Sequence, residues 1–239
     1  MATTTVYAEI DSEMTATDAS GNFGDLDLIL LGLNYVGGDK QNLWRPIGNF
    51  DVSPLAGHAI NDAKLIRTIY EVVGTPPWTA RVLRCSRPAD WVELEVTWNE
   101  YSAGNLWTTG GGDMDFNTPP RVVFTEAQGP GDHEILGMEE FVQDALEFRN
   151  GIVSVILQLL DENFGQTRQT SWWSKDWGSD VWRLVIDHAP PSPGHRRTDR
   201  SSLASGMPAA RPKRPAQAVR PSASARPTRP YKPQRRSPE

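Results

Sequence analysis

Apolar and polar residues alternate with a period of two along most of the first 188 positions, the pattern of strands with one buried and one wet face. Leu26, Leu28 and Leu30, interleaved with Asp27, Ile29 and Leu31, read as an acidic entry into an apolar strand. Ala63, Leu65, Arg67 and Ile69 open another, which runs to Val73 and breaks at Gly74-Thr75-Pro76-Pro77. Ala80–Cys85, Arg121–Thr125, Val153–Leu160 and Val181–Asp187 have the same character. In DWVELEVTWNEYSAGNLWTTGGG, Asp90–Gly112, the side chains of Val92, Leu94, Val96 and Trp98 fall on one side and Glu93, Glu95 and Thr97 on the other. That spacing predicts a half-buried strand with Trp98 plugging the core and Trp91 capping the entry loop. Gly37-Gly38-Asp39, Ser53-Pro54, Gly129-Pro130-Gly131-Asp132 and Gly178-Ser179-Asp180 mark turns between strands.

One segment departs from this rhythm. In MEEFVQDALEFRNG, Met138, Phe141, Val142, Ala145, Leu146 and Phe148-Arg149 follow helical spacing. Glu139 and Glu140 stand in the first turn, where the helix dipole favours acids, and Asn150-Gly151 supplies a left-handed stop. Many short strands, frequent turns and a single helix predict an all-β, jelly-roll-like β-sandwich carrying one short amphipathic helix.

Charge divides the chain in two. Residues 1–188 carry 12 Lys/Arg against 28 Asp/Glu, a net −16, whereas residues 189–239 carry 12 against 2, a net +10. The second region also holds 11 of the 19 prolines, and its larger apolar side chains are Leu203, Met207, Val219 and Tyr231. Such a segment buries too little apolar surface to offset roughly 1–2 kcal/mol of ordering entropy per residue. The expectation is one folded domain, 1–188, followed by a Pro/Arg-rich, basic, disordered tail, 189–239. The tail's candidate partners are an acidic surface, the domain's own included, or the phosphates of a nucleic acid, with an inert, solvated extension or a frameshifted end as the competing readings. The lone Cys85 excludes an internal disulfide framework and reads as a buried or half-buried structural thiol rather than a nucleophile. No run approaches the length of a membrane span, and MATTTVYAEIDSE shows no basic-then-apolar leader.

Taken in order, the landmarks form a recognisable succession. Arg45 precedes the strand end Phe50-Asp51-Val52, followed by the connection SPLAGHAINDA and the strand opening Ala63-Lys64-Leu65. Then come RVLRC, Trp91-Val92-Glu93, Val96-Thr97-Trp98-Asn99, Trp107 and a Gly110-Gly111-Gly112-Asp113 exit, before the helix, GIVSVILQLL, a Trp- and Ser-rich stretch and WRLVIDH. Over roughly residues 5–188 this resembles the DNRLRE domain family, β-sandwich modules related to alginate-type carbohydrate-binding modules. Where that pattern places Ser-Arg-Glu and then Arg-Pro before the last strand, this chain has Ser174-Lys175-Asp176 and Trp182-Arg183-Leu184. The resemblance implies a non-catalytic module on a cell surface or in a phage virion. The missing leader favours the virion, assembled in the host cytoplasm, over an extracellular setting.

Candidate chemistry is sparse. His58, His133, His188 and His195 form no ligand-spaced pair, and no phosphate-cradling glycine motif is present. A polysaccharide lyase or hydrolase, the alternative function, needs a basic or tyrosine-bearing cleft that the sequence does not display. Calcium takes oxygen ligands on irregular loops, and Asp18, Asn22, Asp25 and Asp27, with Asp113 and Asp115, are the candidate ligands; solvated loop acids are the competing reading. A saccharide or protein partner asks for aromatic platforms beside hydrogen-bonding groups. Trp78, Trp107, Trp172, Trp173 and Trp177 with Lys175 are the candidates, with packing between loops or against a second subunit as the competing reading. A domain at −16 repels anionic polysaccharides, which weighs against alginate itself.

Overall fold

The computed structural model describes residues 1–87, 91–116, 119–126, 129–178 and 181–191. Among these residues thirteen strands and one α-helix succeed one another. The first six strands are β1 (Ala2–Tyr7), β2 (Ile10–Thr15), β3 (Leu28–Val36), β4 (Asp39–Asp51), β5 (Ala59–Val73) and β6 (Thr79–Arg84). Then come β7 (Glu100–Ser102), β8 (Asn105–Leu106), β9 (Arg121–Thr125), β10 (Gly131–Leu136), α1 (Glu139–Phe148), β11 (Ile152–Leu159), β12 (Arg168–Trp173) and β13 (Arg183–Ala189).

Two long strands turn this list into a curled, antiparallel, jelly-roll-like sandwich. The hydrogen-bonded path is β1-β13-β5-β12-β3-β4-β11-β6-β9, with β10 added to β5 and β2 added to β4. Along one edge of β5, Ala59–Ile66 pair with β13 and Ile69–Val73 with β12, while β10 covers Lys64–Ile69 on the other edge. β4 repeats the device: Asp39–Trp44 pair with β3 and Ile47–Asp51 with β11, and β2 lies opposite along Trp44–Asn49. A strand too long for one sheet passes from one layer into the next, so the layers enclose a common core. That core holds Leu31, Leu33, Phe50, Leu65, Ile69, Val155, Leu157, Trp172, Trp182 and Leu184, all buried. α1 packs Phe141, Val142 and Ala145 onto it and stops at Asn150, which adopts φ 54°.

The strands expected at Ala63–Val73, Ala80–Cys85, Arg121–Thr125 and Val153–Leu160 coincide with β5, β6, β9 and β11 to within a few residues. The opening Trp-rich segment does not form the expected strand. Val92 to Val96 make a turn, closed by bonds from the Glu95 and Val96 amides to the Val92 carbonyl, and the Asn22 amide grips the carbonyls of Glu93 and Val96. Only Val96 points inward; Val92 and Leu94 are exposed. Two-residue alternation across a tight turn imitates a strand, and the tether that selects the turn comes from seventy residues away.

The tryptophans of this segment exchange their expected roles. Trp91 is buried and donates to Asn49 Oδ1 and Ser154 Oγ, and Trp107 is buried and donates to the Thr97 carbonyl. Trp98 is only half-buried, lying between the main core and a smaller cluster of Met14, Ile47, Cys85, Trp91, Val96, Trp107 and Ile156. The Arg45 guanidinium stacks over Trp98 at 4.7 Å, donates to the carbonyls of Gly110 and Gly111, and forks onto Glu162 at 2.8 and 2.7 Å. A Cβ on Gly111, at φ 80°, would stand 2.4 Å from Arg45 Nη1, which explains the glycine run. The segment is a structural clasp. Cys85 lies beneath it with its thiol pushed up to about 11 by burial, as an inert core residue requires. The basic segment expected to be disordered lies, from residue 192 on, outside the described residues.

Candidate interaction surface

β12 sorts its two tryptophans by strand alternation. Trp172 points inward, fully buried, 5.8 Å from the Trp182 ring and 4.9 Å from the Arg67 guanidinium. Trp173 points outward. Opposite it β5 carries a bulge: Ser171 pairs with Glu71 but Trp172 pairs with Ile69, so Tyr70 is the extra residue. Bulges re-aim side chains, and here the Tyr70 ring lies 4.9 Å from that of Trp173, half in solvent.

The chain then doubles back. Ser174 donates its amide to the Asp27 carbonyl and its hydroxyl to the Leu26 carbonyl, and its Oγ accepts the Asp176 amide. This cap starts a single 3-10 turn, Lys175–Trp177, which ends at Gly178 with φ 88°, a conformation that glycine adopts without strain. The turn lays Trp177 over Trp173, with centroids 4.0 Å apart and planes within 13°. Trp177 remains 47% exposed, and since Trp173 covers one face, the exposed area is its outer face and edge. Tyr70, Trp173 and Trp177 make a continuous aromatic ladder on the surface.

Of the six expected partner-binding residues, the structure brings Trp173, Lys175 and Trp177 together here. Trp78, Trp107 and Trp172 are buried and offer no ring face to a ligand. They are corrected to core residues, because inward strand positions and loop closure took them. Lys175 does not point freely at a partner. Its ammonium is 2.7 Å from Asp176 and 3.2 Å from Glu93.

The expected calcium sets are not assembled. Asp18, Asp25 and Asp27 are exposed, and the Asn22 amide serves the turn at Glu93 and Val96. Asp113 binds Arg87, Thr108 and Thr109, and Asp115 binds Arg84. Among the described residues the three-acid group with converging oxygens is instead Asp11, Glu93 and Asp176, within 4.8 Å of one another. Lys175 already supplies a positive charge to it. These acids come from β2, the clasp and the turn after β12, so no local spacing could announce them.

Two acids near this face are strongly perturbed. Asp11, buried, is pushed up to about 7 chiefly by loss of solvent, and hydrogen bonds from the Lys175 amide and Trp182 Nε1 oppose the rise. Glu13, also buried, is pushed up to about 8 by the same cause, opposed by the Leu30 amide. No protein-family model matches the chain, and no curated protein sequence matches it.

Proposed function

We propose that the folded domain is a non-catalytic interaction module, a structural component of a virion or cell surface, which engages a carbohydrate through Tyr70, Trp173 and Trp177. The observation that carries this reading is the exposed stack. Large indole rings are normally withdrawn from water, and three surface aromatics held in register by a bulge, a cap and a left-handed glycine are a pre-organised platform. The apolar C–H face of a sugar ring suits such a platform, as the resemblance to carbohydrate-binding modules implies. The charge of −16 over residues 1–188 favours a neutral polysaccharide over an anionic one.

Retention on immobilised neutral β-glucan, galactomannan and alginate tests this directly. The intact protein should be retarded by a neutral polymer, and Trp177→Ala and Tyr70→Ala should abolish the retardation. Both are half-exposed, so each substitution should change stability by no more than about 1 kcal/mol. Equal retention of both variants and the parent would refute the platform.

A second reading, a polysaccharide-active enzyme, draws on Asp11, pushed up to about 7 by burial, beside Glu93 and Asp176. Asp11 is 1% exposed, which leaves no path for its proton to a glycosidic oxygen. Release of reducing ends from the same polymers, lost in Glu93→Gln, would favour the enzyme instead.

A further inference from the structure

We propose that His58 and His188 form a two-imidazole site for a divalent transition cation of the Zn²⁺ class, with water completing the coordination. The two residues stand 130 positions apart in sequence, yet their Nδ1 atoms face each other at 2.8 Å. The ring centroids are 4.7 Å apart and tilted by 59°. His188 belongs to β13 and is buried; His58 is half-buried, on the loop entering β5, with its amide bonded to the Leu55 carbonyl.

The far side of His188 has a partner that suits this role. Its Nε2 lies 2.9 Å from Thr4 Oγ1 on β1, a hydroxyl able to accept the ring proton and so leave the Nδ1 lone pair facing His58. An oxygen that takes the second ring N–H and leaves the first nitrogen free is the outer-shell arrangement of metal-bound histidines. Without an ion, one ring donates its Nδ1–H to the other's lone pair. An ion between the two nitrogens displaces that proton, which moves through water to the Nε2 of the same ring, and accepts both Nδ1 lone pairs. At a metal–nitrogen distance of about 2.0–2.1 Å and a tetrahedral angle, two such nitrogens lie about 3.3 Å apart, so each ring must withdraw by about 0.3 Å. The half-buried loop carrying His58 can supply that movement.

Imidazole selects borderline cations over oxygen-seeking Ca²⁺ and Mg²⁺. Among the described residues no third His, Cys, Asp or Glu donor converges on the pair, which leaves the remaining positions to water. This site is separate from the aromatic face and does not depend on its role.

Calorimetric titration of the full chain with Zn²⁺ alone, near pH 7.5, decides the matter. One saturable ion per chain is expected, unaffected by excess Ca²⁺. His58→Gln, at a half-buried loop position, should abolish it, and Thr4→Val should weaken it about tenfold. His188→Gln should also abolish it, and circular dichroism distinguishes loss of the ligand from loss of the fold. His133→Gln combined with His195→Gln should leave binding intact. The absence of saturable Zn²⁺ binding would overturn the site. So would binding that survives His58→Gln, disappears in the His133/His195 double variant, or yields to Ca²⁺.

Discussion

Glu126→Leu should destabilise the domain by about 3–5 kcal/mol, and adding Arg67→Met should recover most of the loss. Arg67 lies on β5 and Glu126 just after β9, and their side chains are 1% and 0% exposed. The guanidinium forks onto the carboxylate at 3.2 and 2.9 Å. It is also sandwiched between the rings of Phe124 and Trp172, each 4.9 Å away. Removing the acid alone strands a cation in a medium that cannot solvate it. Removing both charges leaves apolar side chains of similar volume against two aromatic rings. Urea unfolding of the parent, the single and the double variants gives the comparison. A single-variant cost below about 1 kcal/mol would mean that water reaches Arg67, against its burial.

The position of this pair connects stability to the proposed surface. Arg67 stacks on the ring of Trp172, the residue before Trp173, so the strand that carries the aromatic ladder is anchored in the core. A platform on such a base loses little rotamer freedom when a ligand arrives. Glu126→Leu should therefore weaken polysaccharide retention even under conditions where the domain remains folded.

How much was legible in the sequence follows the range of the interactions involved. β5, β6, β9, β11 and α1 announce themselves, because one buried face in each imposes its period on neighbouring residues. β12 was hidden, since RQTSWW shows no alternation of apolar and polar residues and its pairing with β3 and β5 decides it. β1 was hidden too, as an exposed run of threonines at a sheet edge. The clasp misled in the opposite direction: Val92, Leu94 and Val96 alternate, yet the Asn22 amide holds them in a turn. At the candidate surface, Trp173 and Trp177 were visible as rings four residues apart. Tyr70 was not, because it enters through a bulge defined only by cross-strand pairing. The Asp11–Glu93–Asp176 group and the His58–His188 pair are long-range associations, for which no sequence spacing exists.

Stability should peak near pH 4 and fall as the pH rises to 8. In the folded chain Asp11 and Glu13 hold their protons up to about 7 and about 8, against ordinary values of 3.8 and 4.5. Across that interval the native state binds protons that the unfolded chain has released, so unfolding becomes easier as pH rises. Above about 8 both groups are ionised in either state and the penalty is constant. At about 1.4 kcal/mol per pH unit, each rise corresponds to at most about 4–5 kcal/mol. Below pH 4 the trend reverses. Asp132 is held below its ordinary value first by the Thr68 hydroxyl and then by Arg183; at Asp113, burial pulls upward but Arg87 and the Thr108–Thr109 groups outweigh it. The stability contributed by these two acids is lost as they protonate. Thermal melts from pH 3 to 9 should trace this asymmetric profile. Asp11→Asn and Glu13→Gln should each flatten its alkaline side, because an amide has no proton to release and still accepts the Trp182 Nε1 or Leu30 N–H bond. A melting temperature constant between pH 5 and 8 in the parent protein would show both carboxyls ionised throughout, and with that the burial of Asp11 and Glu13 on β2 would have to be abandoned.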